Sequence, residues 1–258
     1  MKLEQSENQD FEIKLLCELH EGLERQGPGS AETTLKALGF LDGLPENARV
    51  SDLGCGTGGQ TMVLARHITG SITGIDLFPA FISRLNENAK KLGLDDRVSG
   101  MVGSMDDLPF QNEELDLIWS EGAIDNIGFA KGLNDWRRFL KKNGYVAVTC
   151  PSWFTQERPA EIERFWREAG SELDTIGDNL SVMQQAGYIP VAAFTLPDTC
   201  WLDHYFIPRE KAGKALLQKY SGNKTAESFM ADMRHEVELY LQYQEFYGYA
   251  FYIGKRRR

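Results

Sequence analysis

The clearest chemical signal in this sequence is the octet DLGCGTGG at residues 52–59. It follows an apolar run from Ala48 to Leu53 and precedes a helical pattern that begins near Leu64. A glycine-rich turn between a strand and a helix lets the backbone approach a ligand closely, and it directs the free N–H groups of the helix N-terminus toward an anionic group. The octet therefore predicts a site for a nucleotide-like cofactor.

Two known patterns fit the octet. Gly54, Gly56 and Gly59 form the G-x-G-x-x-G of dinucleotide-binding folds. Asp52, Gly54, Gly56 and Gly58 form D-x-G-x-G-x-G, which resembles motif I of the class I S-adenosylmethionine (SAM) methyltransferases. Under the second interpretation these four residues are expected to bind the cofactor. The octet alone leaves both interpretations open.

Residues after the second and third predicted strands extend the cofactor site. Asp76 stands at the end of the second strand, where a carboxylate can accept hydrogen bonds from both ribose hydroxyls of an adenosine. Leu77 would form an apolar wall beside the adenine. After the third strand, Met105 is expected to pack on the adenine ring and Asp106 to accept its amino group, as an acidic residue commonly does there in methyltransferases of this type.

Two further segments resemble methyltransferase motifs in the expected order. LDLIWSEGA at residues 115–123 resembles the fourth-strand motif, and FLKKNGY at 139–145 resembles the "LKPGG" turn into strand five, with Asn143 in place of the proline. The resemblance covers about residues 48–150. It implies a SAM-dependent methyltransferase that acts on a small molecule, loosely similar to bacterial quinone-biosynthesis and amine N-methylating enzymes. It also implies that Glu121 contacts the amino-acid part of the cofactor or the substrate.

Methyl transfer by in-line displacement to an N, O or C nucleophile requires positioning above all. An oxygen or carbon nucleophile benefits from a nearby base, and His204, Glu121 and Asp125 are the candidates, although a histidine between aromatic residues often has a packing role instead. An amine need only arrive unprotonated. Two alternatives stay open: an NAD(P)-dependent oxidoreductase, supported by the dinucleotide pattern alone, and a SAM-binding protein without turnover.

The alternating strand and helix patterns predict an α/β fold. We expect a Rossmann-like, seven-stranded and mostly parallel sheet with helices on both faces, an antiparallel last strand and helical cap insertions. Pro79 and Gly93 mark the start and end of one helix, and Ser30 is a predicted N-cap. The predicted strands cover residues 48–53, 71–76, 97–102, 115–120, 145–150, 191–196 and 246–253.

The chain is expected to form a single methyltransferase domain over residues 1–258. N-terminal helices occupy 1–47, the SAM-binding core 48–150, and cap helices and final strands 151–258. The long segment between the last two strands is expected to form a cap. We expect the acceptor to lie between residues 121–126 and the aromatic segment 201–205.

The composition of the chain further limits the classes of partner that it can bind. The 258 residues carry a formal net charge of −10, which argues against a nucleic-acid partner because phosphate binding needs a basic face. No apolar stretch approaches the length of a membrane span. The four cysteines lack C-x-x-C spacing, which predicts free thiols in a cytoplasmic protein and no metal site. We expect a monomer or a homodimer.

Overall fold

The computed structural model describes residues 2–171 and 173–257. A helix follows each of the first two strands, β3 leads to β4 without a helix in the described residues, and helices dominate between strands six and seven. The strands are β1 Arg49–Leu53, β2 Ser71–Asp76, β3 Val98–Val102, β4 Leu115–Ser120, β5 Leu140–Trp153, β6 Tyr188–Thr195 and β7 Tyr247–Arg256. The helices are α1 Lys2–His20, α2 Ala31–Leu38, α3 Gly59–Ala65, α4 Pro79–Lys91, α5 Phe129–Trp136, α6 Ala160–Glu168, α7 Ile176–Gln185, α8 Asp198–Trp201, α9 Ile207–Lys219 and α10 Lys224–Tyr243.

The strands form one sheet in the order β3-β2-β1-β4-β5-β7-β6. Strands β1 to β5 pair in parallel, whereas β7 runs antiparallel to both β5 and β6. The predicted fold class is confirmed. Because the strand order reverses beside β1, the carboxyl ends of β1 and β4 border a crevice of the kind in which α/β sheets bind ligands.

Alternating side chains along the central strands build a core on each face of the sheet. In β4, Leu117 and Trp119 join one buried cluster while Ile118, between them, joins the other. All six residues of β4 are buried, as expected for a parallel strand covered by helices on both faces. Because β1 lies beside β4 near the centre of the sheet, the glycine loop that follows β1 starts from a buried position.

The N-terminal helices pack against the helices inserted between β6 and β7. Leu15 and Leu19 of α1 form a separate buried cluster with Leu216 of α9 and Met230 of α10. The predicted N-cap of α2 is confirmed: the Thr33 backbone N–H donates to Ser30 Oγ at 3.2 Å. Among the described residues, no helix combines the length and the apolar character that a membrane span requires.

Strand β5 is longer than its sequence pattern predicts because β7 pairs with it from Tyr145 to Trp153. The turn before it also corrects the alignment with the methyltransferase motif. Asn143 has a φ of 65°, which a proline ring cannot adopt and which asparagine tolerates. Asn143 therefore occupies a glycine-type position of the turn, and Lys142 stands where the motif has proline.

Candidate active site

The glycine loop after β1 is shaped by close contacts with the N-terminal segment. Gly56 has a φ of 54°, and a Cβ added there would lie 1.9 Å from Oε1 of Gln26. Gln26 in turn accepts the Thr57 backbone N–H at 3.0 Å and donates to Thr57 Oγ1 at 3.0 Å. Any side chain at position 56 would displace Gln26, so the loop surface stays open only with glycine there.

Gly59 decides between the two patterns that fit the octet. It begins α3, and a Cβ added there would lie 2.2 Å from the backbone oxygen of Glu24. Gly59 is therefore required by its close approach to the N-terminal segment. Its presence does not imply a bound pyrophosphate. This contact removes the main support for the dinucleotide interpretation.

Asp76 lies at the carboxyl end of β2, half-buried and facing the glycine loop. Its Oδ2 accepts the Gly56 backbone N–H at 2.9 Å and its Oδ1 accepts the Phe78 backbone N–H at 3.0 Å. Burial raises the pKa of the Asp76 carboxyl, and these N–H donors oppose that shift. Each oxygen keeps a further lone pair, so the carboxylate can accept two more hydrogen bonds from a ligand.

A cavity of about 280 Å³ lies between the glycine loop, Asp76 and the end of β4. It brings together six of the residues that the sequence singled out, along with a wall from the N-terminal segment. The six are Gly54, Gly56, Asp76, Leu77, Met105 and Glu121; the wall includes Leu16, Arg25, Gln26, Gly27 and Pro28.

The remaining predicted residues lie outside this cavity. Asp106 is exposed and forms an ion pair with Lys131. Gly58 packs toward Leu85 in the core. His204 is exposed in the π-helical segment between α8 and α9, and it does not line the cavity.

Asp52, the acidic residue of the motif, is fully buried beneath the loop. Its Oδ2 accepts the Thr61 hydroxyl at 2.6 Å, and its Oδ1 accepts Gln60 Nε2 at 3.4 Å. Burial raises the pKa of Asp52 to about 7, which the Thr61 hydrogen bond opposes. Gln60 and Thr61 belong to the first turn of α3, so the Asp52 carboxylate fixes that turn. Gln60 lines the cavity, whereas Asp52 lies beneath it and does not face a ligand directly.

Glu121 at the end of β4 is held by three donors. Arg25 donates to its Oε2 at 2.8 Å, while Thr34 and Trp119 donate to its Oε1 at 2.7 and 2.9 Å. Both charged side chains are almost fully buried, at 6% exposure for Arg25 and 3% for Glu121. The pair fixes the N-terminal segment against the end of β4. A carboxylate engaged in this way is better suited to positioning than to accepting a proton.

Sequence reasoning did not identify Arg25 and Gln26 as site residues. Both belong to a turn before α2, and their partners lie far along the chain: Glu121 for Arg25 and Thr57 for Gln26. Isolated polar residues in a glycine-proline turn carry no motif of their own. Only the packing of the N-terminal segment over the glycine loop shows that they belong to the site.

Comparison with known proteins agrees with this geometry. A family model described as a methyltransferase domain matches residues 50–144. Geranyl diphosphate 2-C-methyltransferase of Streptomyces coelicolor is 30% identical over 55% of this chain and 47% of its own length. Glycine/sarcosine/dimethylglycine N-methyltransferase of Actinopolyspora halophila is 32% identical over 47% of this chain and 22% of its own. The matched part of the chain thus spans about half or less of these curated relatives.

A solved structure shares the whole fold. The SAM-dependent methyltransferase from Geobacter sulfurreducens, in complex with S-adenosyl-L-homocysteine, superposes with a TM-score of 0.82 at 22% identity and covers 95% of this chain and 98% of that one. The fold is the Rossmann-like fold of that methyltransferase, and residues 50–144 match the methyltransferase domain. This part of the chain is similar to class I SAM-dependent methyltransferases, and the solved structure with the same fold holds the demethylated form of SAM.

Proposed function

We propose that this protein transfers a methyl group from SAM to a small-molecule acceptor. The observation that carries the proposal is that the glycine loop and the Asp76 carboxylate face one cavity and are tied to each other through the Gly56 N–H. This arrangement fits SAM because the open surface at Gly56 admits a close ligand and Asp76 keeps acceptor capacity for a diol. The relatives named for geranyl diphosphate and for glycine and sarcosine support a small acceptor.

The cavity supplies separate groups for the parts of SAM. Asp76 would accept the ribose hydroxyls, and Leu77 and Met105 would flank the adenine. The loop at Gly54 and Gly56 would lie against the amino-acid part. Asp106 would reach the adenine amino group only after release from Lys131, so we assign the adenine contact first to Met105.

SAM supplies an activated methyl group, and the rest of the catalysis is positioning. The S–CH₃ bond breaks with its electron pair on sulfur while a lone pair of the acceptor forms the new bond. Orientation of this kind contributes on the order of 7–11 kcal/mol in well-aligned reactions. In our proposal Arg25 and Glu121 hold the N-terminal segment over the cavity, which excludes water from the bound cofactor. Asp125, beside the cavity wall at Asn126, is the remaining acidic candidate for contact with the acceptor.

We further propose that the protein works in a reducing compartment such as the cytoplasm. The four cysteines are free, and Cys55, Cys150 and Cys200 are buried. Free thiols persist where glutathione and thioredoxin keep them reduced.

The activity is tested with methyl-labelled SAM. Purified protein is incubated with extracts fractionated into amines, phenols and quinones, and label in the products is counted. We expect label in at least one fraction, and its loss in a Gly56→Val variant, where the β-branched side chain blocks the loop. Binding of SAM without transfer to any fraction would instead favour a SAM-binding protein without turnover.

A further inference from the structure

A second cavity of about 580 Å³ lies at the same edge of the sheet. It is lined by Asp125 and Asn126 of the turn after β4, the start of α5, the end of β5, residues of the segment between α6 and α7, and the first two turns of α7. Asn126 lines both this cavity and the first one. A ligand in the second cavity would therefore adjoin the proposed SAM site across the turn after β4.

Two side chains that line the second cavity offer hydrogen-bond acceptors. Oδ1 of Asp125 is buried and has no hydrogen-bond partner within the described part of the chain. Asn179 donates through Nδ2 to Ser152 Oγ at 3.3 Å and to the Tyr252 hydroxyl at 3.2 Å, which leaves its carbonyl oxygen as an acceptor. Such a lining favours a ligand that carries donors.

The charges of the residues that line the second cavity favour a cationic ligand. Lys131 also lines the cavity, but its ammonium is paired with Asp106 and Asp135 at the exposed rim. Phe129 also lines the cavity, and aromatic residues can attract cations. A buried carboxylate oxygen without a partner is costly, so an ammonium group that reaches Oδ1 of Asp125 would remove that cost.

An organic cation fits better than a metal ion. Across residues 2–171 and 173–257, no group of three or more histidine, cysteine, aspartate and glutamate side chains is arranged to hold a metal. The lining of the cavity also includes four apolar residues: Ile127, Pro151, Leu173 and Val182. They suit the carbon skeleton of a small amine.

We propose that the second cavity is the acceptor site and that it binds a small molecule through a cationic amine other than the atom that is methylated, with Asp125 as its main anchor. This inference rests on the proposed function, because it assigns the substrate class of the same reaction. It also places the acceptor on the Asp125 side of the turn after β4. The aromatic segment 201–205, which the sequence suggested, packs instead into the cap, where Trp201 stacks on Tyr240 with ring centroids 4.5 Å apart.

The test uses three probes of similar size and different charge: butylammonium, butyrate and pentan-1-ol. Each is titrated into the full-length protein saturated with S-adenosylhomocysteine, which occupies the first cavity, and binding is followed by ligand-observed NMR. We expect butylammonium to bind at least tenfold more tightly than either other probe. Equal or tighter binding of butyrate or pentan-1-ol, or no binding of butylammonium, would overturn the proposal.

Two matched variants locate the binding. Asp125→Asn keeps the shape of the side chain and removes its charge, so we expect a tenfold or larger loss of butylammonium affinity. Asp96→Asn removes the same charge from an exposed residue between α4 and β3 and should change the affinity less than twofold. Unchanged butylammonium binding in Asp125→Asn contradicts the assignment of the anchor.

A calorimetric titration with SAM separates this inference from the proposed function. SAM should bind wild type and Asp125→Asn alike, because Asp125 does not line the first cavity. If SAM fails to bind wild type, the proposed function itself fails. If SAM binds and the amine does not, only the acceptor assignment is wrong. If Asp125→Asn does not fold, the preference of the wild-type protein for butylammonium over butyrate and pentan-1-ol still tests whether the second cavity binds a cationic amine.

Discussion

Replacing Gly56 with alanine tests whether the close contact between the glycine loop and Gln26 builds the SAM site. The chain offers a matched control in Gly43, which also has a positive φ, 74°, but has no heavy atom within 4 Å of an added Cβ. Both substitutions place alanine in the left-handed region. Only the one at Gly56 also forces a side chain of the cavity wall to move.

The structure gives a magnitude for each variant. The left-handed conformation costs an alanine roughly 1–2 kcal/mol, and both variants carry that cost. Gly56→Ala also displaces the Gln26 amide, whose two hydrogen bonds with Thr57 at 3.0 Å each contribute about 1 kcal/mol. We therefore expect Gly56→Ala to lose about 2 kcal/mol more unfolding free energy than Gly43→Ala.

Urea denaturation measures the two free energies of unfolding, and isothermal titration calorimetry measures SAM affinity. We expect Gly56→Ala to bind SAM at least tenfold more weakly than wild type, since Gln26 must rotate into or away from the cavity. Gly43→Ala should keep wild-type affinity. If the two variants lost equal stability and bound SAM equally well, the contact between Gln26 and Gly56 would have no part in the site.

Three further outcomes are expected. Asp76→Ala should weaken SAM binding by tenfold or more in calorimetry, because a hydrogen bond to a charged group contributes about 1.5–3 kcal/mol. Arg25→Met should cost about 3–5 kcal/mol of unfolding free energy in urea, because it leaves Glu121 buried without its cation, and Arg25→Met/Glu121→Gln should cost less than the sum of the single variants. Burial raises the pKa of Asp52 to about 7, so its ionisation destabilises the folded state progressively as pH rises from about 4 to about 7. The difference between an ordinary aspartate pKa of about 4 and this value of about 7 sets a ceiling of about 4 kcal/mol, and Asp52→Asn should flatten this fall when unfolding is measured at pH 5 and pH 8.

Each of these predictions has a contradicting result. Unchanged SAM affinity in Asp76→Ala would show that Asp76 does not contact the ribose. Strict additivity of the Arg25 and Glu121 substitutions would show that the pair does not couple the N-terminal segment to β4. A larger pH dependence in Asp52→Asn than in wild type would show that the charged form of Asp52 is the favoured one in the folded protein.

The first five strands and the glycine loop were predictable because their signals are local. The apolar runs of β1 and β4 and the capping pair at Ser30 and Thr33 are contained in short stretches of sequence. The length of β5 was not predictable, since its extension to Trp153 depends on pairing with β7 from the end of the chain. Non-local pairing sets that boundary.

The residues of the candidate site also divide into those with local sequence signals and those whose roles depend on distant partners. Gly56 and Asp76 were assigned from motif spacing, and the structure brings them to one cavity. Arg25 and Gln26 were missed because their roles depend on partners 96 and 31 residues away. The position of His204 depends on the π-helical segment Leu202–Phe206 between α8 and α9, which buries Tyr205 and exposes His204. Neighbouring residues of such a helix face different environments, and composition does not reveal which one faces the core.

The central claim is that the cavity beside Gly56 and Asp76 binds SAM, and calorimetric titration of the wild-type protein tests it most directly. We predict saturable binding of SAM with one site per chain, and no binding of NADH under the same conditions. Absence of SAM binding to folded protein, or saturable binding of NADH at this cavity, would contradict the account.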